Sequence, residues 1–230
     1  MLVAISQRND LNQHSDLIDN LENSYIDYLR KFGINPLILP NIPESIGYYF
    51  TDYSISHVIL SGGNDIDPVL YGEVNKGNLS VSKRRDQTEK KIIDIAKEKH
   101  IPVLGICRGM HFINTYFDGK LTDKLFSGAS IHSHHVKKDH DVLVLSKEII
   151  ARLGRQIKVN SYHGFGISQN LLSSELMPFC SSDDGLIEGF FHPVLPFAGI
   201  QWHPERHSPD DKINDFLIRN FIGRGLFWKK

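Results

Sequence analysis

The sequence predicts an α/β fold: a single domain over residues 1–230 with three layers, in which helices cover both faces of a mainly parallel central sheet. Short apolar runs alternate with segments of helical spacing, which is typical of such a sheet. The chain has 230 residues, of which 40% are hydrophobic, enough for one core of ordinary size. No stretch rich in glycine, proline or serine separates two parts of the chain.

Strands and helices alternate through the first hundred residues. Continuous apolar runs predict buried strands, and apolar side chains three and four positions apart predict helices. Asp16 is a candidate cap for the first helix, and Gly33 ends it. The polar stretch 69–85 is expected to be a loop. The predicted elements are strands 2–6, 35–39 and 57–60 and helices 17–32, 43–50 and 86–99.

The second half of the chain is richer in strands. A strand at 102–106 leads directly into a helix at 108–117, and a helix at 210–221 closes the pattern. The intervening apolar runs are too short for helices and are bounded by polar or glycine-containing turns. They predict strands at 141–145, 156–160, 186–191 and 197–201.

Composition limits the classes of partner and compartment. The net charge is −1, so no overall basic charge indicates binding to nucleic acid or to a membrane surface. Cys107 and Cys180 are the only cysteines, a usage typical of a reducing cytoplasm. No apolar run reaches the roughly 18 residues of a membrane span, and the apolar N-terminus is too short for a signal peptide. We expect a cytoplasmic protein with a small-molecule substrate, either alone or as a homodimer.

The strand at 102–106 ends in Gly105-Ile106-Cys107-Arg108-Gly109, the Gly-x-Cys-x-Gly sequence of a nucleophile elbow. In such a turn a strand passes directly into a helix, and glycines leave room for the close approach of backbone. Cys107 would lie at the amino end of the helix, where the dipole and free N–H groups favour a thiolate. A buried structural cysteine is the alternative, since free cysteine is commonly buried.

A cysteine nucleophile needs a base, and the base needs a group that orients it. His203 and Glu205 lie two positions apart after the strand at 197–201, so they point to the same side of an extended backbone. Pro204 favours that extended conformation. A lone histidine is more often structural, but the coincidence with the cysteine elbow makes His203 a candidate base and Glu205 its orienting carboxylate.

Acyl transfer also requires donors for the developing oxyanion. The backbone N–H of Arg108, directly after the candidate nucleophile, is one candidate. The segment Ser61-Gly62-Gly63 follows a predicted strand and can turn a second N–H toward the same place, although two glycines also occur in ordinary turns.

These motifs together resemble the class I glutamine amidotransferase fold. A longer pattern is similar to the γ-glutamyl hydrolase branch (peptidase C26), which includes γ-glutamyl-γ-aminobutyrate hydrolase. The first resemblance rests on Ser-Gly-Gly at 61–63, Gly-Ile-Cys-Arg-Gly at 105–109 and Gln-Trp-His-Pro-Glu at 201–205. The second adds Gly62 to Pro68, Tyr71-Gly72-Glu73, Arg85-Asp86 with Glu89, and Val159 to His163.

The resemblance implies a Cys-His-Glu triad of Cys107, His203 and Glu205. It also implies an oxyanion hole from the backbone N–H groups of Gly63 and Arg108. The expected reaction is cleavage of a γ-glutamyl amide through a γ-glutamyl thioester, without a cofactor. The further candidates for substrate binding are Gly62, Asn64, His111, Asn160, Ser161, Tyr162 and His163.

One position departs from the amidotransferase pattern. Amidotransferases usually carry glutamine four residues after the cysteine, where it helps to hold the glutamyl group, and this chain has His111 there. The segment 160–163, which shares that task in the family, is present.

Local charge suggests the kind of leaving group. Lys83, Arg84 and Arg85 are expected in a loop at the mouth of the site, and arginine is suited to phosphate and carboxylate. Arg84 and Arg85 are therefore candidates for binding an anionic leaving group, unless they are only solvated surface cations. The favoured case is a phosphate-bearing group, by similarity to family members that act on a γ-glutamyl cytidine-diphosphate amidate in bacterial capsule synthesis. The alternatives are a γ-aminobutyrate-like carboxylate, and a glutaminase subunit that delivers ammonia to a synthase.

A histidine-rich stretch raises the question of a metal. His-x-His spacing can bind zinc, but no cysteine or carboxylate completes a zinc pattern nearby. We therefore expect a polar loop and no metal site. The histidines concerned are His132, His134, His135 and His140.

Overall fold

The computed structural model describes residues 1–75, 79–122 and 138–223. The strands of its main sheet are β1 (Leu2–Ile5), β4 (Leu37–Ile38), β5 (Ile55–Leu60), β6 (Val103–Ile106), β7 (His140–Val144), β8 (Gln156–Val159), β9 (Met177–Ser182), β10 (Ile187–Phe191) and β11 (Phe197–Ile200). Within the described residues this sheet has nine strands in the order β4-β1-β5-β6-β11-β10-β9-β7-β8.

The sheet is mixed, and its parallel part carries the candidate catalytic residues. Strands β4, β1, β5, β6 and β11 pair in parallel, and β10, β9, β7 and β8 continue the sheet with antiparallel pairing. The predicted α/β fold class is confirmed. Because β6 and β11 are parallel neighbours, their carboxyl ends meet at one edge of the sheet, where sites of α/β proteins usually form.

Helices pack on both faces of the sheet. One core contains apolar residues of α2 (Ile46–Asp52), α3 (Lys83–Glu98) and α4 (Arg108–Tyr116). The other contains those of α1 (Asn23–Arg30), α5 (Lys147–Leu153) and α6 (Asp211–Ile222). Strands β5 and β6 are buried on both faces, which explains the apolar runs at 58–60 and 103–106. In the described part of the chain, no helix is long and apolar enough to cross a membrane.

The helix predicted over 17–32 is wrong in its first half. Residues Leu17–Asn20 form β3, which pairs antiparallel with β2 (Arg8–Leu11) as a separate ribbon. The Asp19 carboxylate explains the difference, because it accepts hydrogen bonds from the side chain of Asn9 and from the backbone and side chain of Asn41. These long-range contacts hold the segment extended, although its apolar spacing fits a helix.

The loop predicted over 69–85 is partly wrong. A 3₁₀-helix covers Pro68–Tyr71, and α3 begins at Lys83. The Ser82 side chain accepts a hydrogen bond from the backbone N–H of Arg85 at 3.2 Å, which caps this helix. The basic run 83–85 therefore lies in the first helical turn. Strand β9 and helix α5 were not expected from the apolar pattern.

Candidate active site

The turn between β6 and α4 has the geometry of a nucleophile elbow. Cys107 has φ 52° and ψ −105°, a region that few residues other than glycine occupy. Its backbone N–H donates to the Ile200 carbonyl at 2.8 Å, which ties the elbow to β11. A side chain at Gly105 would collide with the Gly109 backbone, and one at Gly109 would collide with the Leu60 carbonyl. The close approach predicted for these glycines is confirmed.

His203 is buried beside Cys107 and is held from two sides. Its Nδ1 lies 2.6 Å from Glu205 Oε1. Its backbone N–H donates to Asn160 Oδ1 at 2.9 Å, and the Asn160 amide donates to the His203 carbonyl at 2.7 Å. Asn160, predicted to bind substrate, thus fixes the backbone of the candidate base.

The charge state of His203 follows from its neighbours. Burial alone lowers the pKa of His203. The negative charges of Cys107 and Glu205, with hydrogen bonds to both, outweigh this effect and raise it to about 10. His203 is therefore favoured as an imidazolium beside Cys107 at neutral pH, and a protonated histidine next to a cysteine is the arrangement that activates cysteine nucleophiles.

The segment 61–64 lies against the candidate base and nucleophile. A Cβ atom at Gly62 would lie 2.8 Å from His203 Cε1, so only glycine fits. The Gly62 N–H donates to the Tyr25 hydroxyl at 2.8 Å and is not available to a substrate. Gly63 has φ 113° and lines the cavity beside Cys107, which leaves its N–H as the candidate donor.

A buried ion network supports this segment from behind. Arg85 is wholly buried and donates to the carbonyl oxygens of Gly62 at 2.9 Å and Ser61 at 2.8 Å. Its Nε donates to Glu89 Oε1 at 2.9 Å. Glu89 also pairs with the side chain of Arg108.

Arg108 connects the network to the elbow. Its side chain is buried and pairs with both Asp86 and Glu89. Its backbone N–H opens α4 directly after Cys107. One cluster of four charged side chains therefore supports both candidate oxyanion donors, the backbone N–H groups of Gly63 and Arg108. The four side chains are those of Arg85, Asp86, Glu89 and Arg108.

The prediction that the basic run lies at the mouth of the site is wrong for Arg85. Its side chain is fully buried, so it cannot reach a substrate. Arg84 Nε donates to the Asn41 carbonyl at 2.5 Å. Lys83 is exposed and lies 3.7 Å from Asp67. The polar sequence of this run predicts a loop, whereas the cap provided by Ser82 starts a helix there.

A cavity of about 130 Å³ adjoins Cys107. Four of the predicted substrate-binding residues line it: Asn64, His111, Tyr162 and His163. Gly62, Asn160 and Ser161 are buried next to it but are not part of its lining as far as the described residues define it. A larger cavity of about 560 Å³ lies between α3 and α4, and Cys107 and His203 take no part in its lining.

His111 is coupled to the candidate nucleophile through a residue that sequence reasoning missed. Its Nε2 lies 2.7 Å from Gln201 Oε1, and Gln201 Nε2 lies 3.7 Å from Cys107 Sγ. Burial lowers the pKa of His111 to about 4, so the ring is neutral and donates to Gln201. The signal was available, because Gln201 opens the Gln-Trp-His-Pro-Glu motif.

The histidine-rich stretch is only partly described. His132, His134 and His135 lie outside the described residues. His140 Nε2 lies 3.5 Å from Glu188 Oε1, and His163 Nε2 lies 3.8 Å from the same oxygen. Burial opposes protonation of His140, but Glu188 raises its pKa overall. No group of three metal-ligating side chains occurs in the ranges that the structure describes.

Comparison with known proteins places the chain in a fold and then in a family. The fold is that of the class I glutamine amidotransferases. It matches a glutamine amidotransferase from Thermotoga maritima with a TM-score of 0.65, covering 98% of this chain and 97% of that one, at 16% identity. Residues 2–205 match the family model Peptidase C26, and the chain belongs to that hydrolase family.

Two curated relatives have named activities. The γ-glutamyl-CDP-amidate hydrolase of Campylobacter jejuni is 35% identical over 163 residues, covering 71% of this chain and 68% of the relative. The γ-glutamyl-γ-aminobutyrate hydrolase of Escherichia coli is 28% identical over 233 residues, covering 94% of this chain and 89% of the relative. The family recognised from the sequence motifs is confirmed.

Proposed function

We propose that this chain is a cysteine hydrolase that cleaves a γ-glutamyl amide to glutamate and an amine or amidate. The observation that carries the proposal is the line of contacts from Gln201 through Cys107 and His203 to Glu205 beside the cavity. Membership of the peptidase C26 family and the names of both relatives support a γ-glutamyl substrate.

The chemistry follows from the position of each group. The Cys107 thiolate attacks the γ-carbonyl carbon, and the carbonyl electron pair moves to oxygen. The backbone N–H groups of Gly63 and Arg108 stabilise that oxyanion. As the carbon–nitrogen bond breaks, the His203 imidazolium gives its proton to the leaving nitrogen. Neutral His203 then takes a proton from water, which attacks the thioester and releases glutamate and the thiolate.

The favoured substrate has an anionic, phosphate-bearing leaving group of the γ-glutamyl-CDP-amidate kind. The support is the named activity of the relative with 35% identity. A γ-glutamyl-γ-aminobutyrate substrate is the second candidate, supported by the relative whose match covers 94% of this chain. A glutaminase subunit that passes ammonia to a synthase is the third, because the fold is shared with a glutamine amidotransferase.

A panel of γ-glutamyl amides, assayed by release of glutamate, tests the proposal. It includes the CDP-amidate, the γ-aminobutyrate and putrescine amides, and free glutamine. We expect turnover of an anionic amide by the isolated chain, with none in Cys107→Ala. Glutamine as the best substrate, with a large rise on adding a synthase, would favour the glutaminase instead. Turnover that persists in Cys107→Ala would exclude the covalent mechanism.

A further inference from the structure

The leaving group must occupy the side of Cys107 where His203 lies, because His203 gives its proton to the leaving nitrogen in the proposed mechanism. On that side Tyr162 covers His203, with the two rings edge to face and their centroids 5.9 Å apart. Tyr162 also lines the cavity and is 36% exposed. The tyrosine therefore marks the path along which a leaving group extends toward solvent.

Arg206 lies on this path. Its guanidinium carbon is 4.6 Å from the centroid of the Tyr162 ring. Its side chain is 32% exposed, and its nearest acidic atoms are Glu205 Oε1 at 3.7 Å and Glu22 Oε1 at 3.9 Å. Both distances exceed hydrogen-bond length, so within the described ranges this guanidinium keeps its donors for another group.

Arg8 lies against the other boundary of the site. A Cβ atom at Gly63 would overlap its side chain, so the aliphatic stem of Arg8 packs against Gly63, the residue of one candidate oxyanion donor. Its side chain is 35% exposed, and Nη1 donates to Glu22 Oε1 at 3.2 Å. Its Nε lies 3.5 Å from Asp10, a carboxylate that also accepts hydrogen bonds from the amides of Asn20 and Asn64.

One carboxylate oxygen therefore contacts both arginines. Glu22 Oε1 lies within 4 Å of Arg8 and of Arg206, the first beside Gly63 and the second beside Tyr162 and Glu205. Each arginine has more N–H donors than these contacts use. A pair of partly exposed arginine side chains, positioned by a shared acid, suits an oxyanion that accepts several charge-assisted hydrogen bonds.

We propose that Arg8 and Arg206 form the leaving-group subsite and that it binds an anionic oxyacid, a phosphate or a carboxylate, on the departing nitrogen compound. The proposal rests on the proposed function, and it gives the anionic preference a different basis from Arg84 and Arg85. Glu22 is a positioning residue in this subsite, because it contacts the two arginines and not the substrate.

The first test separates charge recognition from catalysis. Three γ-glutamyl amides are compared: those of aminoethyl phosphate, of 4-aminobutyrate and of uncharged propylamine. In Arg206→Gln and Arg8→Gln we expect kcat/KM for the two anionic amides to fall at least about tenfold, mainly through KM. The propylamide should change less than about twofold. A larger loss with phosphate than with carboxylate identifies phosphate as the preferred group. Arg155→Gln, an exposed arginine before the edge strand β8, is the control.

Equal losses for charged and neutral amides would mean that Arg206 acts through Glu205, or that Arg8 only supports Gly63, and would overturn the subsite. Unchanged KM for the anionic amides in both variants would do the same. Arg8→Met keeps an unbranched stem against Gly63 without the charge and separates packing from anion binding if Arg8→Gln is unstable.

The second test does not need turnover, so it separates this proposal from the proposed function. Iodoacetamide alkylates Cys107, and inorganic phosphate at constant ionic strength should slow that reaction in the wild type. In Arg206→Gln, about tenfold more phosphate should be needed for the same protection. Equal protection in the variant, or none in the wild type, would refute the subsite even if γ-glutamyl amides are hydrolysed. Protection by phosphate in a protein that hydrolyses none of them would sustain the subsite and refute the function.

Discussion

Arg85 Nη1 donates to the carbonyl oxygen of Gly62 at a distance of 2.9 Å. The Gly62 carbonyl and the Gly63 N–H belong to one peptide unit, and in a trans peptide these two groups point in opposite directions. A carbonyl turned toward the buried guanidinium therefore turns the Gly63 N–H away from it, to the cavity side where an oxyanion forms. A flipped peptide at this position would present a carbonyl instead.

Replacing Arg85 should therefore damage catalysis more than binding. In Arg85→Met we expect kcat to fall about tenfold to a hundredfold, less than the roughly hundredfold to thousandfold loss when an oxyanion donor is removed, because the N–H is displaced and not deleted. KM should change less than about threefold. Arg85→Lys should retain more activity, because it keeps the charge beside Glu89. Kinetics and thermal unfolding are measured together, since the loss of one of the two arginine partners of the buried Glu89 also lowers stability. Arg84→Met is the matched control, and an equal loss there would remove the special role of Arg85.

The three residues of the candidate triad should differ in their effects. Cys107→Ala and His203→Ala should each lower kcat by more than about a thousandfold, because they remove the nucleophile and the proton carrier. Glu205→Gln should cost less, since Glu205 contacts His203 and not the substrate. The measurement is kcat on the best γ-glutamyl amide. A similar loss in all three variants would instead indicate that Glu205 binds substrate.

The raised pKa of His203 makes its contribution to stability depend on pH. Because its pKa rises from 6.5 to about 10 on folding, protonated His203 stabilises the fold fully below pH 6.5. That contribution should be lost as the pH rises toward about 10. The check is the difference in unfolding free energy between the wild type and His203→Gln, measured from pH 6 to 10. A difference that grows with pH would contradict the thiolate–imidazolium pair.

His111 should act through Gln201. His111→Gln restores the residue usual in amidotransferases and keeps a donor, so we expect kcat/KM to remain within about threefold of the wild type. His111→Leu leaves Gln201 Oε1 without its donor, and kcat/KM should fall at least about tenfold. Because the pKa of His111 is about 4, neither effect should vary between pH 6 and 8. Equal rates in the two variants would show that this hydrogen bond has no role.

The parts of the site that the sequence predicted are those fixed by neighbours along the chain. The elbow depends on Gly105, Cys107 and Gly109, and the His203–Glu205 contact depends on two residues separated by one proline. Both can be inferred from local geometry. The start of α3 at Lys83 is also a local feature, set by the Ser82 cap. The polar residues around it are equally typical of a loop, and so the sequence alone predicts a loop there.

The parts that the sequence did not predict depend on contacts between distant segments. Nothing near Arg85 in the chain indicates that its guanidinium turns inward to Ser61 and Gly62. Arg8, Glu22 and Arg206 lie in three separate segments and have ordinary surface sequences. Their meeting around Glu22 depends on the ribbon of β2 and β3, and apolar spacing predicts a helix where β3 lies.

Because β6 and β11 pair, the candidate nucleophile and base lie at the end of one strand pair, whereas most residues of the proposed leaving-group subsite lie on other segments. Cys107 and His203 follow two adjacent strands, while Arg8, Glu22 and Tyr162 belong to segments outside that strand pair and only Arg206 shares a segment with His203. Loops can therefore be exchanged, shortened or recharged during evolution without moving the reacting atoms. We therefore expect substitutions in these surface segments to alter the preference for a leaving group while Cys107 and His203 stay in place.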